Sequence, residues 1–168
     1  MLAALALPHR LDVQGAPVTL REATEHDLDA LIALLADDPI SAARGDHASP
    51  ADRPAYLAAL RSICADRANA LIAADRSGAL VATMQLTVIP GLARRGSTRL
   101  QVEAVRVAST ERSAGIGSAM MRWVTDVAAP ALDAPLVQLT SDAERADAHR
   151  FYERLGFIGS HVGFKFRR

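Results

Sequence analysis

The stretch Leu100-Gln-Val-Glu-Ala-Val-Arg-Val-Ala-Ser-Thr-Glu-Arg-Ser-Ala-Gly-Ile-Gly-Ser-Ala-Met-Met-Arg-Trp-Val-Thr-Asp-Val127 decides how the chain folds. From Leu100 to Val107 the pattern alternates, as a strand does. Leu100, Val102, Ala104 and Arg106 fall on one side, and Gln101, Glu103, Val105 and Val107 on the other. Ile116, Met120, Val124 and Val127 then recur at helical spacing, which predicts a buried stripe. Between strand and helix lies Arg112-Ser-Ala-Gly-Ile-Gly117. Gly115 and Gly117 let backbone approach a ligand without a Cβ in the way. The free N–H groups that open a helix bind anions, and the helix dipole adds to them. Arg112 contributes a permanent charge with forked donors. This is equipment for a pyrophosphate, although a plain strand-to-helix turn would use the same residues. Two other phosphate loops are excluded. No Gly-Lys-Ser/Thr follows, and the dinucleotide fingerprint lacks its third glycine and needs an earlier strand.

Upstream, Pro17–Leu20 reads as a short strand. Thr24 with Asp27 forms a weak capping box ahead of Leu28, Leu31, Ile32 and Leu35 at helical spacing. Asp37 to Pro54 is a long polar loop, and Pro54 to Asp66 a second helix with Leu57, Leu60 and Cys64 on one face. Strands follow at Ala70–Ala74 and Ala79–Ile89, joined by a turn at Arg76-Ser-Gly78. Pro90–Thr98 is a loop. Downstream, Leu136–Leu139 is a strand, Asp142 to Leu155 a helix ended by Gly156, and Phe157–Phe166 a last strand. The order β-α-α-β-β-β-α-β-α-β predicts an α/β fold, a mixed sheet with helices on its faces. Residues 1–16 read as an irregular arm and 17–168 as a single domain.

The 168 residues carry nineteen basic and nineteen acidic side chains. A zero balance supplies no global field for nucleic acid or acidic lipid, and 4% aromatic content leaves little for base stacking. No apolar run approaches the ~20 residues of a membrane span, and the apolar start at Met1 lacks the features of a signal peptide. One cysteine, Cys64, forms no intrachain disulfide, and no ligand spacing suggests a metal. The expected compartment is therefore the cytoplasm.

The ordered set of strand 101–107, Arg112-Ser-Ala-Gly-Ile-Gly117 and Ala148-His-Arg-Phe-Tyr-Glu-Arg-Leu-Gly-Phe157 resembles the GNAT superfamily of N-acetyltransferases. The run from Arg145 to Tyr152, with Ser160-His161, is further similar to a branch that includes aminoalkylphosphonate acetyltransferases. The resemblance covers residues 17 to 166 and implies a mainly antiparallel GNAT-type sheet. It also implies acetyl-CoA as cosubstrate and a primary amine as acceptor. It implies that Val105, Arg106 and Val107 line the pantetheine arm, through the backbone groups of Val105 and Val107. Backbone N–H groups of Ser113, Ala114, Gly115, Ile116, Gly117 and Ser118 would hold the pyrophosphate, with Arg112 near it and Phe151 also against the cofactor. Tyr152 stands at the general-acid position and Glu103 where many members place a general base. Many members have Asn where this chain has Arg145, which could instead reach a phosphate.

Ordinary pKa values test these roles. A thiol near ~8.5 takes a proton from a tyrosine near ~10 at a cost of about 2 kcal/mol. A glutamate near ~4.3 deprotonating an ammonium near ~10.4 faces about 8 kcal/mol. Glu103 therefore needs a raised pKa, an acceptor with a lowered one, or a water relay. His149 and His161 read as structural, with His161 alternatively lining the acceptor site. Trp123 reads as packing, and Arg94 and Arg95 as solvated. Three functions stay open: acetylation of a small amine, acetylation of a protein N-terminus or lysine, and a CoA-binding sensor without turnover. An apolar strand near the C-terminus offers an edge on which a homodimer could pair.

Overall fold

Strands His9–Leu11 (β1), Val18–Glu22 (β2), Asn69–Arg76 (β3), Ala79–Ile89 (β4), Arg99–Val107 (β5) and Leu136–Leu139 (β6) lie side by side in chain order. Neighbours run antiparallel except β5 and β6, which are parallel. Helices Leu28–Ala36 (α1), Pro39–Ala42 (α2), Arg53–Ala65 (α3), Ile116–Trp123 (α4) and Ala146–Arg154 (α5) accompany the sheet. This is the expected mixed, mainly antiparallel α/β sheet. The structure is a computed structural model and describes residues 2–43 and 45–166.

Strand alternation divides the apolar residues between two faces. Leu20, Ile72, Met84, Leu86, Leu100 and Val102 meet Ile116 and Met120 of α4, with Val124 just beyond it, in the larger core. Ala73 meets Leu28, Leu31 and Ile32 of α1 and Leu60 of α3 in the smaller one. Each large side chain so buried contributes about 1.5–3 kcal/mol. Between β3 and β4 the two-residue turn is Ser77-Gly78, both at positive φ (52° and 84°), the geometry that matches strand twist.

The alternation expected along β5 holds only as far as Glu103. Pairing with β4 steps from Gln85↔Glu103 to Thr83↔Arg106, so Ala104 and Val105 oppose Met84 alone. This is a β-bulge, with Ala104 at φ 50°. It reverses the phase of the strand. Val105 and Val107 join the face of Leu100 and Val102 against the larger core, whereas Ala104 faces α1 and α3.

Other elements also depart from the sequence reading. The stretch expected as an irregular arm carries β1, paired to β2, and buries Leu2, Leu5 and Leu11 in the larger core. The Asp37–Pro54 loop is interrupted by α2, whose Asp38 side chain accepts from Ser41 N–H at 2.8 Å. Cys64 is exposed and off the buried face of α3. A π turn at Val124–Ala128 rotates the stripe of α4, so Ala128 is buried in place of Val127. Helix α5 begins at Ala146 rather than Asp142. Residues 157–166 form no strand, and Ile158, Val162, Phe164 and Phe166 stand exposed. The later start of α5 bears on function.

Candidate active site

The chain leaves β5 at Val107 and crosses a short turn, Ser109–Glu111, before entering α4. Ser113 and Gly115 both take positive φ, 70° and 81°, around Ala114. Gly115 is the residue before the helix, and nothing lies within 4 Å of a Cβ placed there, so its glycine answers to backbone conformation alone. The Ala119 N–H bonds to the Gly115 C=O at 3.0 Å. The N–H groups of Ile116, Gly117 and Ser118 precede that first bond and have no intrahelical acceptor. Arg112 is half-exposed beside them, 3.9 Å from the Asp37 carboxylate, which itself accepts from Ser109 N–H at 2.7 Å. The loop is a positively polarised concavity of backbone donors.

Beside it the sheet splays. Pairing of β5 with β6 ends at Val102↔Leu139, so among the described residues β5 from Glu103 to Val107 has no strand neighbour on that side. A Cβ on Gly117 would lie 3.5 Å from the Phe151 ring and 3.6 Å from the Val107 side chain. That contact brings together the loop, the open end of β5 and the helix that carries Tyr152.

Tyr152 is held by the end of its helix. Gly156, at φ 89°, donates to Glu153 C=O at 2.9 Å, and Phe157 N–H donates to Tyr152 C=O at 3.1 Å. These two bonds are the Schellman motif, and its apolar contact is present too. The Phe157 and Tyr152 rings stand edge to face, 5.8 Å apart, with Phe151 at 5.1 Å on another side. Burial raises the Tyr152 pKa, and the nearby charges of Arg106 and Arg145 pull it partly back. The phenol keeps its proton at neutral pH and can donate it.

Arg145 lies at the start of α5, where the resemblance sets a cofactor contact. Its guanidinium is engaged elsewhere, by two bonds to the Asp38 carboxylate at 2.5 and 2.6 Å. Burial pushes the Asp38 pKa up, but the Arg145 bonds, the Ser41 N–H and the charge of Arg106 outweigh it and hold the group well below the carboxylate range. Arg106, past the bulge, reaches toward the same loop and donates to Ser41 Oγ at 2.6 Å and to Val105 C=O at 2.8 Å. Among the described residues no carboxylate lies within ion-pair distance of it, and its Nε is buried without a partner. Asp38 and Ser41 thus tie α2 across the splay. Sequence reading missed both, because their partners lie 107 and 65 residues away. The one local sign was Asp38 ahead of Pro39, a helix start.

Glu103 is exposed on β5, next to the bulge. The next residue, Ala104, lines a half-open pocket of about 130 Å³ between α1, α3 and the sheet, with Leu31, Ile32, Tyr56 and Gln85, which shares no residue with the loop. Tyr56 OH donates to Asp46 at 3.2 Å. A larger groove of about 420 Å³, beside Glu22, Cys64 and Asp66, shares no residue with the loop. Burial pushes the Cys64 thiol up, which leaves it a poor nucleophile. The Trp123 indole packs in the core, 6.0 Å from the His9 ring, and the His149 ring sits 2.8 Å from Asp142 C=O. Among the described residues no cluster of three potential metal ligands occurs, and no helix is long and apolar enough to cross a membrane.

The model of the acetyltransferase (GNAT) family matches residues 28–157. The chain belongs to this family. It is a GNAT acetyltransferase, and acetyl-CoA is the donor the family implies. A structure from Bacillus halodurans C-125, described as a transcriptional regulator, shares 40% identity at TM-score 0.84, covering 90% of this chain and 99% of its own. A putative acetyltransferase from Agrobacterium tumefaciens shares 26% identity at TM-score 0.75, over 89% and 99%. A Brucella ribosomal-protein-alanine N-acetyltransferase shares the fold at 19% identity and TM-score 0.69, over 90% and 99%. No curated protein matches the chain.

Proposed function

We infer that this GNAT enzyme moves the acetyl group of acetyl-CoA to the primary amine of a small molecule by direct attack. The observation that carries the reading is the close approach of Phe151 and Val107 to Gly117, where a Cβ would touch both, which joins loop, open strand and Tyr152-bearing helix at one point. In this reading the N–H groups from Ser113 to Ser118 hold the pyrophosphate with Arg112, and the backbone of Val105 and Val107 holds the pantetheine arm. The amine nitrogen bonds to the thioester carbon, and a strand N–H near Val105 steadies the oxyanion. The C–S bond breaks, and the Tyr152 hydroxyl protonates the departing sulfur. The amine proton leaves through water to Glu103, whose exposure suits a relay rather than direct transfer. Arg145 serves to fasten Asp38 rather than a phosphate.

A small acceptor fits better than a peptide. The Asp38–Arg145 and Ser41–Arg106 bonds draw helix α2 from the open end of β5 toward the start of α5, where it obstructs an extended groove. The test has two stages. Acetyl-CoA at 100 times its Kd should stabilise the protein by about 2.7 kcal/mol in thermal unfolding, and Arg112→Ala should weaken that binding. Tyr152→Phe should then lower kcat about 100-fold or more with an amine that turns over. Absence of any stabilisation by acetyl-CoA, or an unchanged kcat in the Phe variant, would refute the corresponding assignment. Inhibition by peptides but not by small amines would overturn the acceptor class.

A further inference from the structure

Helices α1 and α3 stand apart over the sheet, with the half-open pocket of about 130 Å³ between them. Its walls are aliphatic: Leu31, Ile32 and Leu35 of α1, Leu60 and Ile63 of α3, and Leu71 of β3. Thr83, Gln85 and Tyr56 line it as well, and each already has a partner within the protein. Thr83 Oγ donates to Ile72 C=O at 2.9 Å, Gln85 Nε2 donates to Asn69 at 3.0 Å, and Tyr56 OH donates to Asp46 at 3.2 Å. What the pocket offers a ligand is therefore apolar contact. Leu60 is the one fully buried residue of α3, while Leu35, Tyr56 and Ile63 stay partly exposed. Apolar walls left partly open to solvent mark a binding surface.

The pocket meets the sheet at the bulge. Ala104, at φ 50°, lines it, and the next residue is Val105. Consecutive Cα atoms are about 3.8 Å apart, so a group seated on Ala104 lies within a short carbon link of the strand N–H that steadies the oxyanion. Glu103 pairs with Gln85 across the ladder and shares its face, so it stands on the pocket's side of the sheet. It is exposed, and among the described residues it has no ion-pair partner. Its charge is complementary to an ammonium. We propose that the pocket receives an aliphatic or aryl group of the acceptor, joined by one or two carbons to an amine that Glu103 holds before transfer. This rests on the transfer reading above and narrows its acceptor class. The volume sets the size. An apolar cavity of about 150 Å³ admits a single benzene ring, so this pocket takes a branched alkyl group or one ring and no more. It shares no residue with the phosphate loop, as suits an acceptor seat, since phosphates and thioester lie at opposite ends of the donor.

The test titrates the full chain with 3-methylbutylamine, 2-phenylethylamine and ethanolamine, without and with acetyl-CoA, and repeats the series on Ala59→Leu. Ala59 is exposed on α3 and lines the pocket, and leucine is a good helix former, so the variant keeps its fold and fills the seat. A urea midpoint no lower than that of the wild type checks this. The two apolar amines should bind the wild type at least about 30-fold more tightly than ethanolamine, at about fourfold per buried methylene. Ala59→Leu should cut that preference by at least about 10-fold. With acetyl-CoA present, kcat/KM should follow the order of binding. Equal binding of the three amines overturns the proposal, and so does a preference that survives Ala59→Leu or ethanolamine as the better substrate. Apolar amines that bind as expected but are not acetylated, although acetyl-CoA binds, refute the transfer reading instead; the pocket's ligand class is decided by the binding arm alone.

Discussion

Arg145→Met should release α2 from the start of α5, and the structure sets the size of the effect. The Arg145–Asp38 pair has two charge-assisted bonds, and its side chains are 21% and 14% exposed. Removing one partner of a fully buried pair costs about 3–5 kcal/mol, whereas exposed pairs contribute about 0–1. A pair about one-fifth exposed falls between, so Arg145→Met should destabilise by about 2–3 kcal/mol at pH 7. Asp38→Asn should cost a similar amount, and the double variant should cost well below the sum, because neither charge is then stranded. The folded-state pKa of Asp38 is depressed, so the pair contributes fully above the ordinary carboxylate pKa near ~3.9. That contribution is lost as pH falls below it, and the difference between wild type and Arg145→Met should shrink in acid. Urea melts of the four proteins give the coupling directly, with about 2 kcal/mol expected. The acceptor KM should rise in Arg145→Met as α2 is released, and kcat should fall as well, because the Arg145 charge that lowers the Tyr152 pKa is lost. A coupling below about 0.5 kcal/mol would show that the pair does not hold α2, and the reasoning would fail.

Gly115→Ala should destabilise by about 1 kcal/mol through its φ of 81° alone, since no atom blocks the new methyl group, and it should weaken acetyl-CoA binding; equal urea midpoints would refute a conformational requirement there. Asp27 accepts from Arg21 at 2.7 and 2.8 Å, and that bond, against the effect of burial, holds its pKa at about 2. It should therefore contribute about 2 kcal/mol above pH ~4, lost as pH falls toward 2. Asp27→Asn should flatten that part of the stability–pH curve, and parallel curves would contradict the role.

Much of this architecture is readable along the chain, because its signals are local. The Ser77-Gly78 turn needs positive φ and has residues that permit it. The phosphate loop is contiguous, and β6 is where its β-branched and leucine run predicts. The unread parts depend on distant partners. The bulge sits at Ala104, a residue with no turn signature, and shows only in how β5 registers against β4. Arg145 looks like a helix residue until Asp38 draws it out of the first turn of α5. Strand β1 is three residues long, too short for a period, and exists because β2 offers an edge. The C-terminal alternation is real, but alternation alone makes no strand without a neighbour to pair with.

The bulge in β5 also separates two problems of design. Before it, even-numbered side chains enter the larger core; after it, odd-numbered ones do, and Glu103 and Ala104 emerge together toward α1 and α3. In the proposed reading, donor and acceptor therefore consult different letters of one strand. Varying Ala104, with Gln85 and Tyr56 across the cavity, should retune which amine is accepted and leave the donor's footing at Val105 and Val107 untouched. The irregularity acts as a partition, behind which specificity can drift while the chemistry stays put.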